Sequence, residues 1–151
     1  MKISTKQYEK ADETKFFLDT SVLIKWINAE TENVKQALQV EQDYDNDKIH
    51  VAMSLVTWWE LGNFLGRTLT KEQASQAMSL LQMKRIPGYA LSLEVSDLSF
   101  QIMNKHPKTS FYDASQHALA ISKKSTFLTC DKKYYEKTKS LGHIKLLKDY
   151  S

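Results

Sequence analysis

Short apolar runs alternate with longer segments of helical periodicity along most of the chain. The apolar and alternating runs predict strands over residues 16–18, 49–53, 89–95, 126–129 and 143–147. Segments with apolar residues three and four positions apart predict helices over 22–27, 31–44, 55–69, 70–85, 96–106, 110–124 and 131–142. Because strands and helices alternate, the pattern predicts an α/β fold. A mostly parallel β-sheet would be sandwiched between α-helices in three layers, α/β/α.

Capping residues mark several predicted helix ends. Thr70, with Gln73 three positions later, predicts a capping box at the start of one helix. Ser96 is the predicted start of the helix over 96–106, and Gly142 is the predicted stop of the helix over 131–142.

The length of 151 residues suits one domain. Residues 1–15 form a predicted polar lead-in, and residues 16–151 form a predicted single domain. The one cysteine, Cys130, excludes an internal disulfide framework and any multi-cysteine metal site. No segment reaches the roughly 18 apolar residues of a membrane span, and the N-terminus lacks the apolar core of a secretion signal. These features predict a cytoplasmic protein with no membrane partner.

The net charge of +3 is too small to identify a polyanionic partner. Arg67 and Arg85 are the only arginines, so the chain has no arginine-rich arm for nucleic acid. Several lysines lie near the acidic motifs described next, and a solvated charged face is an adequate explanation for most of them: Lys25, Lys123, Lys124, Lys132 and Lys133.

Four carboxylates lie at predicted strand ends or near helix starts. Asp19 and Asp131 follow strands, whereas Glu60 and Asp113 fall in helical segments. Taken alone, Asp19 and Asp131 are favoured helix caps, and Glu60 can face solvent on a helix edge. Asp113 lies three positions after Ser110, as in a capping box. Ligands of open parallel sheets bind beyond the carboxyl ends of the strands, so the four side chains can converge at one edge.

Converging carboxylates repel one another, and one takes up a proton unless a cation is bound. Oxygen ligands without a supporting cysteine or histidine cluster suit Mg²⁺ or Mn²⁺. A divalent ion held by carboxylates, with open coordination positions, suits phosphoryl chemistry. The acidic set therefore favours a metal-dependent reaction at phosphate.

The segments FFLDTSVLIKWI, FYDASQHALAIS and FLTCD, together with Glu60, resemble the four motifs of the PIN-domain family. The nearest type is the VapC-like ribonuclease toxin of prokaryotic toxin–antitoxin pairs, and the resemblance runs from about residue 16 to the C-terminus. It implies an acidic pocket for Mg²⁺ or Mn²⁺ and endonucleolytic hydrolysis of RNA by a metal-activated water. It also implies an antitoxin partner and a homodimer.

The resemblance also implies roles for the acidic residues. Asp19 and Asp113 are expected as principal metal ligands, direct or through water. Glu60 is expected as a ligand or as the residue that positions the attacking water. Asp131 would complete the site, with a second ion if one forms with substrate.

Other residues near the motifs carry weaker expectations. Ser21 and Thr129 match family positions that hold a metal-bound water or a neighbouring carboxylate. Asn63, one turn after Glu60, can orient that carboxylate or cap a local turn. His117 stands where the family usually has an apolar residue, and either a hydrogen-bonded core histidine or a substrate contact explains it.

The tryptophan pair Trp58 and Trp59 suits core packing or a dimer interface, with base stacking as the alternative. Cys130 lacks a visible acid–base partner and is expected as a small buried apolar residue.

Two other functions remain open from the sequence. The acidic site can belong to a catalytically silent PIN-like module that binds RNA or protein without cutting. A phosphatase with an aspartyl nucleophile is disfavoured, because Ser21 stands where such enzymes place a second aspartate after Asp19.

Overall fold

The computed structural model describes residues 14–28 and 32–151. Nearly all of the predicted lead-in over residues 1–15 lies outside the described residues. Within them, five parallel strands form one sheet in the order β3-β2-β1-β4-β5. The strands are β1 (Phe16–Leu18), β2 (Val51–Ser54), β3 (Gly88–Tyr89), β4 (Thr126–Thr129) and β5 (Ile144–Leu146).

Seven α-helices of the described residues connect and cover these strands: α1 (Thr20–Ile27), α2 (Val34–Asp45), α3 (Val56–Thr68), α4 (Lys71–Met83), α5 (Leu93–Lys105), α6 (Phe111–Ser122) and α7 (Lys132–Thr138). Short 3₁₀ turns follow at Lys139–Leu141 and Leu147–Asp149. No helix in this part of the chain is both long and apolar enough to cross a bilayer.

Alternate residues of the central strand face opposite sides of the sheet. Phe16 and Leu18 enter a core formed with helices α1 to α4, whereas Phe17 enters a second core formed with α5, α6 and α7. All three side chains are buried. This alternation produces helix layers on both faces, and the predicted three-layer α/β/α fold is confirmed.

The order of the strands creates a crevice beside the central strand. The chain runs from β1 outward to β2 and β3, and then returns to place β4 on the other side of β1. The backbone N–H of Asp19 donates to the carbonyl of Leu128 (2.9 Å), which joins the ends of β1 and β4. Such a reversal of strand order is the usual ligand-binding point of an open α/β sheet.

The predictions for residues 89–106 were wrong in two respects. The alternating segment 89–95 is not a strand, because strand pairing covers only Gly88–Tyr89. The next helix begins at Leu93 rather than at Ser96, because the Ser92 hydroxyl caps it by accepting from the Val95 N–H (3.1 Å). The alternation misled because Leu93 is 79% exposed and supports no buried sheet face.

The predicted capping box at Thr70 is present. Its hydroxyl accepts from the Gln73 N–H (3.3 Å), and the Gln73 side chain accepts from the Thr70 N–H (3.1 Å). Gly142 follows the 3₁₀ turn with φ +70°, a left-handed conformation that favours glycine.

Candidate active site

Four elements bring the four predicted carboxylates to one cavity. Asp19 follows β1, Glu60 lies on α3, Asp113 lies in the first turn of α6 and Asp131 precedes α7. All four line a cavity of about 620 Å³ at the carboxyl edge of the sheet. Ser21 and Asn63 also line it. The convergence inferred from separate sequence segments is therefore present in the structure.

Asp19 occupies the N-cap position of α1, but its side chain makes no capping hydrogen bond and is held by two hydroxyl groups instead. Its Oδ2 accepts from Ser21 Oγ (2.7 Å) and from Thr129 Oγ1 (2.8 Å). The same hydroxyls accept backbone N–H groups, of Cys130 (3.1 Å) and of Asp131 (3.0 Å) respectively. Each hydroxyl therefore has its proton directed at Asp19. Burial raises the pKa of Asp19, the two hydroxyls oppose this shift, and the Asp131 charge adds to it.

Glu60 is fixed by two residues that the sequence analysis did not select. Its Oε1 accepts from Thr20 Oγ1 (3.1 Å) and from Gln116 Nε2 (3.1 Å). Gln116 is only 2% exposed, although it is polar. A signal existed in the sequence, since Gln116 interrupts the apolar helix one turn after Asp113. Burial and then the charge of Asp19 raise the pKa of Glu60.

The other two aspartates are tied to helix N-termini. The Ser110 hydroxyl accepts from the Asp113 N–H (3.1 Å) and so caps the start of α6. Asp131 does cap its helix, because its Oδ1 accepts from the Tyr134 N–H (3.0 Å). Burial, followed by the charges of Asp19 and Asp131, raises the pKa of Asp113 to about 6.

The weaker expectations from the sequence, for residues near the acidic motifs, have different outcomes in the structure. His117 is 0% exposed, with Nδ1 2.9 Å from the Tyr134 hydroxyl and Nε2 2.8 Å from the Gly142 carbonyl oxygen, so it is a core histidine. Asn63 lines the cavity, but no hydrogen bond joins it to Glu60 among the described residues. Trp58 packs against the core, whereas Trp59 is 71% exposed, so core packing explains only the first. Cys130 is partly buried, and burial raises the pKa of its thiol.

The donor chemistry of the cavity fits a hard divalent cation. Carboxylates from four elements line one space, and burial, with a further contribution from their mutual charges, raises the pKa values of three of them. Across residues 14–28 and 32–151, however, no three acidic, histidine or cysteine side chains stand close enough together to enclose an ion. Mg²⁺ is commonly held by one or two carboxylates with waters and substrate phosphates, so an open arrangement of this kind suits it.

We expect the Asp113→Asn variant to be more stable than the parent at pH 8 in the presence of a chelator. The folded-state pKa of about 6 lies above the ordinary value of 3.8, so the parent loses stability as the pH rises through this interval. Below about pH 4 residue 113 is uncharged in both the parent and the variant, so the two proteins should have the same stability. After allowance for solvent screening, the difference at pH 8 is about 1 kcal/mol, or roughly 2–4 °C in Tm. Thermal unfolding at both pH values measures it, and equal Tm values at pH 8 would contradict it.

Comparison with known proteins places the chain among related folds. The PIN domain family model matches residues 16–140. No curated protein matches the sequence. The VapBC-1 structure from nontypeable Haemophilus influenzae is 19% identical, with a TM-score of 0.67, and the match covers 90% of this chain and 100% of that chain. A toxin–antitoxin complex from Klebsiella pneumoniae is 17% identical (TM-score 0.64; 89% and 98% covered).

A third similar structure carries a more specific description. Mycobacterium tuberculosis VapC20, described as a sarcin–ricin loop cleaving toxin, is 18% identical, with a TM-score of 0.59 and coverage of 74% of this chain and 85% of that chain. At these identities the structural likeness bears on the fold, in agreement with the parallel sheet and helix layers described above.

Proposed function

Because this chain belongs to the PIN-domain family, we propose that it is a Mg²⁺- or Mn²⁺-dependent endoribonuclease and the toxin of a VapBC-type toxin–antitoxin pair. The observation that carries the proposal is the convergence of Asp19, Glu60, Asp113 and Asp131 on one cavity. The descriptions of similar proteins as toxin–antitoxin complexes support an antitoxin partner, and the toxin that cleaves the sarcin–ricin loop supports RNA as the substrate.

We assign the metal-holding role to Asp19 and Asp113, with Asp131 completing the site. A divalent cation bound by these carboxylates would lower the pKa of water and stabilise the charge that develops on the phosphate. It would also offset the mutual repulsion that adds to the effect of burial on the pKa values of the carboxylates. Ser21 and Thr129 would keep Asp19 oriented before substrate arrives, since their protons are already directed at it.

We assign Glu60 the task of orienting the attacking water. Thr20 and Gln116 both donate to Oε1, so Oε2 is the oxygen available for the water. Hydrolysis adds this water across one P–O bond, which leaves a phosphate on one fragment and a hydroxyl group on the other. Glu60 positioned in advance reduces the reorganisation needed at the moment of reaction.

We also propose that the chain forms a homodimer in the cytoplasm. Large apolar side chains remain exposed on α3, α5 and α6, including Trp59, Leu93 and Tyr112, and burial against a second copy would remove them from water.

The function is tested by incubating the purified chain with pooled RNAs and Mg²⁺ and mapping the new ends by sequencing. We expect internal cuts in RNA and none in single-stranded DNA of the same sequence. Specific RNA binding without any cut would instead support the catalytically silent module. Copurification with the product of an adjacent gene that encodes a small DNA-binding protein would support the toxin role.

A further inference from the structure

The cavity face of α3 extends beyond Glu60 and carries four further residues, of which three are polar and exposed. Asn63, Phe64, Arg67 and Thr68 all line the same cavity as Glu60. Their offsets of three, four, seven and eight residues place them on one side of the helix. Seven residues of helix span about 10 Å, so the backbone of Arg67 lies about two turns along the axis from that of Glu60.

Arg67 is the one cation among the described residues that line this cavity. Its side chain is exposed, and it forms no ion pair within the described part of the chain although four carboxylates share the cavity. Lys84, by contrast, pairs with Asp45 (2.7 Å) and lies 3.5 Å from Glu41. The guanidinium of Arg67 therefore keeps its donors for another anion, and its planar fork matches a phosphate.

We propose that Arg67 binds a phosphate of the RNA that flanks the phosphodiester being cleaved. This inference rests on the proposed ribonuclease function and adds a substrate-positioning subsite to it. The distance along α3 argues for a flanking phosphate, because the reacting phosphate must lie against the carboxylates. The position of the positive charge supports the same assignment. An RNA strand that extends from the carboxylates along α3 next reaches Arg67, the single cation of the cavity lining.

A purely structural role makes a different prediction. Arg67 lies in the last turn of α3, where any cation stabilises the helix dipole. Lysine would serve the dipole as well as arginine but lacks the bidentate fork. Arg67→Lys should therefore keep the Tm of the parent and still lose part of the RNA affinity.

The test measures RNA affinity without cleavage. Arg67→Gln is combined with Asp113→Asn, and binding of a fluorescein-labelled single-stranded RNA of mixed sequence is followed by anisotropy in Mg²⁺ at several salt concentrations. Arg85→Gln in the same background is the matched control, because the other arginine of the chain does not line the cavity.

We expect Arg67→Gln to weaken binding by about 5- to 10-fold and to lower the slope of log affinity against log salt by about 1, whereas Arg85→Gln changes neither. In the cleavage-competent chain, Arg67→Gln should raise KM and leave kcat nearly unchanged, since a flanking contact is made equally in the ground and transition states. Equal effects of the two arginine variants, or a fall in kcat at constant KM, would overturn the inference and leave the ribonuclease proposal standing. If the cleavage-competent chain itself neither binds nor cleaves RNA in Mg²⁺, the ribonuclease proposal fails and this inference fails with it.

Discussion

Replacement of Asp113 by asparagine is expected to lower the rate of RNA cleavage by more than about 100-fold and to leave the chain folded. Loss of a group that only supports a metal ligand already costs about 10- to 100-fold, and Asp113 is assigned as a ligand itself. Asparagine keeps the shape of the side chain but removes its charge. The cap at the start of α6 survives, because the Ser110 hydroxyl accepts the backbone N–H of residue 113.

The matched control is Asp97→Asn. This residue is exposed on α5 and does not line the cavity, so its substitution changes the net charge equally without touching the site. Cleavage is measured as initial rates on a mapped RNA, and folding is followed by circular dichroism and thermal unfolding. If Asp113→Asn retained more than about a tenth of the parent rate, the assignment of Asp113 as a metal ligand would be wrong.

The layered fold and the acidic convergence were predictable because they depend on local signals. Apolar runs such as 16–18 predicted buried strands, and the alternation with helices predicted a parallel sheet. A parallel sheet then places Asp19 and Asp131 at one edge, whatever the details of the loops. The helix start at Ser92 was missed because two serines, Ser92 and Ser96, offer similar caps, and only packing of the following helix decides between them.

The residues that orient Glu60 were not predicted, because they are distant from it in sequence. Thr20 and Gln116 reach Glu60 across 40 and 56 positions. Neither carries a charge, and the only signal in the sequence was the polar interruption of an apolar helix at Gln116. Arg67 was visible as a rare arginine, but its place in the cavity depends on how α3 packs against the sheet.

Removal of divalent metal is the second change with a large expected effect. Chelated protein should cleave RNA more than about 100-fold more slowly than protein in Mg²⁺, and Mn²⁺ should restore the rate. The reason is electrostatic, because four carboxylates and a phosphodiester carry more negative charge than Arg67, the single cation of the cavity lining, can offset. The control adds the chelator already saturated with Mg²⁺, which should leave the rate unchanged.

Metal binding should also release a proton from the site. Since the pKa of Asp113 is about 6, a cation at pH 6 meets a carboxyl that is about half protonated, and binding displaces that proton. Affinity for Mn²⁺ should therefore rise by up to about tenfold per pH unit below pH 6 and level off above about pH 7. Calorimetric titration in two buffers of different ionisation enthalpy measures the proton directly. Asp113→Asn should abolish the release, and Asp97→Asn should preserve it.

Because the carboxylates are arranged openly, Mn²⁺ binding to the free protein tests the proposal less sharply than cleavage activity in chelator does. No three of the described acidic side chains enclose an ion, so Mn²⁺ alone should bind weakly, and more tightly when an RNA that resists cleavage supplies phosphate oxygens. Weak binding to the free protein is thus compatible with the proposal. Full cleavage activity in chelator, at a rate equal to that in Mg²⁺, would contradict the proposal, because without a metal ion the carboxylates would repel the substrate that they are assigned to cut.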